Sequence, residues 1–192
     1  MIAAFCWTSL IFAAMSQSLD LASPDGQVAV QLQQTDSGGL RYSVRYNNKP
    51  VITTSRLGLV LKDAPPLVEG FQVINVTRSK HYQTWKPVYG ERSEVRDRYH
   101  ELVVELQEKA PPMRRIEIVV RAYDEGAALC YRLPEQPNLK QAVIAAETTE
   151  FCFAGDYPAW PVYSAQGVYQ RVRLSQNKPN CERPLVVEVD RG

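Results

Sequence analysis

ELVVELQEKAPPMRRIEIVVRAYDEGAALCYRL, residues 101–133, decides the fold class. Three short runs rich in branched apolar residues, ELVVEL (101–106), RIEIVVRAY (115–123) and AALCYRL (127–133), are separated by the turn-forming stretches KAPP and DEG. Apolar runs of strand length, cut by Pro and Gly, read as β-strands joined by turns. The same pattern extends upstream. GQVAVQLQQ (26–34) places Val28, Val30 and Leu32 on one face, and LRYSVRY (40–46) places Leu40, Tyr42, Val44 and Tyr46 on one face. Alternation with period two marks a strand with one buried side. TDSGG (35–39) and YNNKP (46–50) supply the turns between them. RLGLVL (56–61), FQVINV (71–76), AVIAAETTEFCF (142–153) and RPLVVEV (183–189) continue the series. No stretch of ten or more residues combines helical periodicity with caps. An all-β sandwich or barrel follows.

The chain has 192 residues, 45% hydrophobic and 22% charged, with a formal net charge of +1. That is enough chain for one large core, and the charge balance gives no electrostatic reason to bind nucleic acid. Residues 2–15, IAAFCWTSLIFAAM, form an uncharged apolar run, and the small residues Ala14 and Ser16 stand at −3 and −1 to a cleavage before Gln17. The positive flank of an export signal is missing, so a buried N-terminal helix is the competing reading. We read residues 1–16 as a signal peptide, 17–192 as the mature domain, and the destination as periplasmic or secreted. The run is too short to span a membrane comfortably. Loss of the signal would remove Cys6 and leave Cys130, Cys152 and Cys181. None has C-x-x-C spacing, so no zinc ribbon or thioredoxin-type site is expected. Cys130 and Cys152 lie in strand-like runs, where a free Cys is expected as a small core residue, although the two could bridge. RPLVVEVDRG brings the sequence to an end within or just after a strand, which suggests the front part of something larger.

Catalytic motifs are missing: there is no G-x-S-x-G, P-loop or H-E-x-x-H. His81 and His100 read as surface or loop histidines. Glu91, Glu94, Asp97, Glu101, Glu147 and Glu150 could in principle pair for glycosidic acid–base work, but spacing alone assigns no pair. The charge-dense stretch TWKPVYGERSEVRDRYHEL (84–102) reads as a long ordered loop in which Arg92, Arg96 and Arg98 pair with Glu91, Glu94 and Asp97. Its Trp85 and Tyr89 could stack on a sugar ring, although covering the end of the core is the more ordinary role of such aromatics.

Four segments together resemble the N-terminal domain of glycoside hydrolase family 97: SPDGQVAVQLQ…YSVRYNNKPVITTSRLGLVL, TWKPVYGERSEVRDRYHELVVEL, RAYDEGAALCYRLPEQ and TTEFCFAGDYPAW. The likeness covers roughly residues 20 to 190. It implies a large antiparallel β-super-sandwich of the sugar-mutarotase type, truncated before a (β/α)8 catalytic barrel. The chain would then be the non-catalytic front domain of an exported, calcium-dependent α-glucosidase or α-galactosidase. It would pack on the barrel and contribute to the carbohydrate and calcium sites. Trp85, Tyr89 and Trp160 are the implied sugar-contacting residues. In calcium-dependent members a Tyr-Glu pair supplies one metal ligand. GVYQRVRLS (167–175) has Gln170 at that place, with Glu182 as the substitute. A neutral amide oxygen adds no charge and weakens a calcium site. The competing readings are a free-standing carbohydrate-binding module with the same three aromatics, and a structural sandwich without activity.

Overall fold

The computed structural model describes residues 19–189; the expected signal peptide lies outside them. Among the described residues, thirteen β-strands and one 3-10 turn (Leu174–Gln176) make up the regular structure, and every pairing is antiparallel. One four-stranded sheet is a meander of β1 (Asp20–Ala22), β2 (Val28–Gln34), β3 (Leu40–Tyr46) and β4 (Lys49–Arg56). A second meander holds β6 (Phe71–Trp85), β7 (Val95–Glu108), β8 (Arg115–Tyr123) and β9 (Gly126–Arg132). β5 (Leu59–Leu61) pairs with β10 (Ile144–Glu147). β11 (Pro158–Trp160) is the middle of a small sheet between β12 (Val172–Arg173) and β13 (Val186–Val187).

Turn chemistry sets the hairpin geometry. Asn47 and Asn48 both have positive φ, 48° and 62°. Two successive left-handed residues make the tight turn whose twist matches its flanking strands, and asparagine tolerates that region better than most residues. Gly38 (φ +83°) closes the β2–β3 loop against the start of β6, where a Cβ would collide with the Phe71 backbone. Phe71 N–H donates to Gly38 C=O, and Gly70 N–H donates to Ser37 C=O. The loop of one sheet is thus tied to the first residue of the other.

The two large sheets stack face to face, with β2 over β8 and β9, and β1 over β7 and β8. Val30, Leu32, Leu40 and Tyr42 meet Leu102, Val104, Leu106, Ile116, Ile118 and Val120 in one core. Full burial of each such aliphatic side chain contributes about 1.5–3 kcal/mol. Arg114 is the exception among them, a cation that is 1% exposed. Its Nε donates to Glu108 Oε2 at 2.9 Å and its Nη1 to Pro65 C=O at 2.8 Å. A buried charge needs such partners.

The antiparallel sandwich agrees with the sequence reading, but several strand limits do not. FQVINV is only the first part of a 15-residue strand. The expected long loop at 84–102 is mostly strand: β6 ends at Trp85 and β7 begins at Val95, leaving 86–94 as the connection. Of AVIAAETTEFCF only Ile144–Glu147 forms a strand, with one further bridge from Ile52 to Phe153. RPLVVEV contracts to Val186–Val187. Cys130 and Cys152 are exposed rather than in the core, and both are free. β9 lies at the margin of its sheet, and Cys130 shares a face with Val119 and Arg121 across the register, away from the core row of Val120 and Leu129. Among the described residues no helix is long and apolar enough to cross a membrane.

Candidate carbohydrate and metal site

The implied site residues fall in two places. Trp85 and Tyr89 sit at the far end of the β6–β7 hairpin. Its ladder runs without a break from Val76–Val104 to Trp85–Val95. Burial on β6 fades along the way: Phe71 is buried, Val73 and Val76 are half-buried, and residues 82–85 are all exposed. Trp85 is 47% exposed, Val88 99% and Tyr89 90%. Such values remove the expectation that these aromatics cover the core. They stand at the tip of an arm.

The arm is held by contacts on both of its faces. On one, His81 stacks on Tyr99 with ring centroids 4.8 Å apart, and Tyr99 in turn lies 5.0 Å from Tyr123. Arg121 covers the Tyr99 ring at 4.4 Å while its Nε donates to Glu101 Oε2 at 2.7 Å. Burial pushes the Tyr99 phenol above its ordinary pKa. On the other face, His100 bridges from Tyr82 Oη (3.1 Å, Nε2) to the Ala22 carbonyl (2.8 Å, Nδ1). A carbonyl only accepts, so Nδ1 carries the proton. Both histidines are therefore on strands and half-buried, not in loops.

The expected Arg–carboxylate network does not form. Arg92 and Arg96 are exposed and have no ion pair among the described residues, and Arg98 reaches Asp124 (3.9 Å) instead. Strand alternation is the cause: Arg96 and Arg98 point to one face of β7, Asp97 to the other. Asp97 faces His81 at 3.3 Å, and Glu94 lies 3.8 Å from Lys86.

Trp160 belongs to the other place, the small sheet. Its Nε1 donates to Glu188 Oε1 at 2.7 Å, and Arg171 donates to Glu188 Oε2 through Nη2 at 2.8 Å. The Arg171 guanidinium, then the indole, hold the Glu188 carboxyl below its usual range. Arg171 and Glu188 were not singled out from sequence. They lie 17 residues apart and meet only because β12 and β13 flank β11 on opposite sides.

Gln170 and Tyr169 are exposed just before β12. Pro158 pairs with Arg173 and Ala159 with Val172, and Gln170 precedes that pairing by two residues. Glu182 N–H donates to the Val162 carbonyl at 2.8 Å. Gln170 and Glu182 are the two residues implied as calcium ligands. They do not make a site: no group of three or more His, Cys, Asp or Glu among the described residues could hold a metal. Calcium takes six to eight oxygens, and two exposed side chains leave most of that shell unfilled.

A cleft of about 380 Å³ lies between β1 and the arm, lined among others by Asp20, Ser23, Arg78, Lys80 and His100. None of the implied sugar residues lines it.

Stacked antiparallel sheets, with exposed aromatics at one tip and a Trp–carboxylate–Arg cluster on a side sheet, define an antiparallel β-sandwich. Residues 21–192 match the family described as the glycosyl-hydrolase 97 N-terminal domain, and the chain belongs to that family. Solved structures agree. A glycoside hydrolase family 97 enzyme from Pseudoalteromonas sp. strain K8, in complex with panose, is 27% identical with a TM-score of 0.77. The match covers 82% of this chain and 25% of that one. A variant of the family 97 enzyme from the same strain gives 25% identity and a TM-score of 0.81, over 88% and 26% of the two chains. A β-arabinopyranosidase at 21% identity and a TM-score of 0.69, over 77% and 23%, shows the shared fold alone. This chain spans about a quarter of the length of those enzymes.

Proposed function

We propose that this chain is the non-catalytic N-terminal domain of an exported family 97 α-glycosidase. It packs on a catalytic (β/α)8 barrel and supplies one wall of the carbohydrate site. The observation that carries this reading is the family match from 21 to 192 together with the quarter-length coverage of relatives, one of which holds panose. Trp85 and Tyr89 offer exposed ring faces to a sugar, whose C–H face is apolar. Trp160 is aimed by Glu188. Calcium enters only as a shared ion: Gln170 or Glu182 would add one oxygen to ligands from elsewhere in the protein. In this chain the described residues do not fit a calcium site, and no chemical step is assigned to the ion.

The exposure of Trp85 and Tyr89 also favours a second reading, a carbohydrate-binding module that works alone. Calorimetry separates the two. The domain reading expects no heat from panose, and no stoichiometric calcium uptake, with the purified chain. Saturable panose binding that disappears in Tyr89→Ala would establish the module instead. Tight calcium binding would show that the chain holds a complete site of its own.

A further inference from the structure

We propose that the cleft between β1 and the arm, with the cationic strip that leads out of it, binds an anionic sugar chain through one acidic sugar residue seated in the cleft. Strand alternation sorts the charges of the arm by face. Arg78 pairs with Leu102, Lys80 with His100, Tyr82 with Arg98 and Thr84 with Arg96. Leu102 lies in the core, so these side chains continue the core-side face outward. Asp97 and Glu101 alternate to the other face, where His81 and Arg121 meet them. The core-side face of the arm is thus cationic. Arg98 reaches Asp124 at 3.9 Å, whereas Lys80 and Arg96 have no ion pair among the described residues.

Where the strip meets the sandwich, β1 lies over β7 and β8, and the cleft of about 380 Å³ opens beside it. That volume is at the small end of ligand pockets and suits one sugar ring. Donors gather in it. Ser23 N–H donates to the Val28 carbonyl and the Leu19 carbonyl accepts from Leu32 N–H, both toward β2. Alternation therefore turns Ala22 to the open edge, where its carbonyl accepts from His100 Nδ1–H at 2.8 Å and its N–H faces the same way. Lys80 lines the cleft with Arg78, whose Nη2 donates to the Asp20 carbonyl at 3.4 Å. Of the lining carboxylates, Glu101 is held by Arg121 and Ser79, while Asp20 supplies an acceptor. Cations alone would suit any inorganic anion. Cations beside a carboxylate acceptor suit a ligand that carries a negative group and hydroxyls together, a uronate. Tyr82, 57% exposed, stands one strand pair beyond Lys80 and His100, and its ring offers apolar surface to the next sugar. The site is built wholly from this chain and uses none of Trp85, Tyr89 and Trp160, so its failure would leave the sugar wall proposed above untouched.

The test is calorimetry at low salt on the 192-residue chain, with trigalacturonate as the probe and maltotriose as the neutral control. Saturable binding of trigalacturonate, weakened by added salt, is expected, with no heat from maltotriose. Lys80→Ala should weaken binding about tenfold, as loss of a charge-assisted hydrogen bond does. Lys80→Arg should restore it, and Arg132→Ala, on the opposite face of the sheet, should leave it unchanged. The proposal is overturned by an absence of saturable heat, by binding indifferent to Lys80→Ala, or by equal binding of maltotriose. Inorganic sulfate bound as tightly as trigalacturonate would overturn it too.

Discussion

The two halves of the β6–β7 hairpin share one hydrogen-bonded ladder and almost nothing else. In the first half, Phe71, Val104 and Leu106 are buried, and Arg114 closes the end with Glu108. In the second, from Arg78 to Trp85 and Val95 to Glu101, Tyr99 is the one side chain below a tenth exposed. Backbone hydrogen bonds exchange with water and add only modest net stability each. The ladder therefore shapes both halves, while burial stabilises one. The other is a rigidified surface, suited to contact rather than to core.

That contrast can be broken most sharply at Arg114. Arg114→Ala should cost about 3–5 kcal/mol, because it strands the Glu108 carboxylate and the Pro65 carbonyl in a nearly dry site; urea unfolding measures it. Leu102→Ala, at a fully buried position, should cost about 2–5 kcal/mol in the same assay. A change at either site as small as at the tip would mean that the ladder, not burial, holds the hairpin.

Acid sharpens the comparison further. Burial pushes the Glu108 carboxyl up, but hydrogen bonds from Arg114 outweigh it and leave the pKa below the ordinary 4.5. A depressed carboxylate contributes stability above its unfolded pKa, and that contribution is lost as pH falls through the folded value. Between about pH 5 and pH 3 the melting temperature should thus fall less steeply in Glu108→Gln than in the unaltered chain. Equal slopes would show that the pair is not coupled to folding.

The smallest effects belong to the arm. Arg92→Ala and Arg96→Ala should each change stability by no more than about 0.5 kcal/mol, as exposed side chains without partners do. A loss of several kcal/mol at either would restore the ion-pair network expected from sequence.

That expectation failed for a physical reason that marks the limit of reading a chain locally. Alternation identified β2, β3, β8 and β9 almost to the residue, since the first three bury one face in a shared core and β9 packs a partly buried face against it. RSKHYQTW, the outer half of β6, has no such alternation, because neither of its faces is buried in that core. Its strand character comes from β7 alone, a partner whose own outer half looks like a loop. β11 and β12 are too short to carry any period. Of the candidate site only residue types were legible: the structure leaves Trp85 and Tyr89 exposed and bonds Trp160 to Glu188. Their placement in separate sheets was not, nor was the meeting of Trp160, Arg171 and Glu188, which depends on the pairing of three strands too short to announce themselves.

The central claim, a non-catalytic domain of a family 97 glycosidase, meets its most direct test in one measurement. Purified chain, shown to be folded by circular dichroism, is incubated with aryl α-glucoside and α-galactoside, with and without calcium. The account predicts no release of the aryl group above a mock preparation. Turnover that tracks the protein through purification would contradict it.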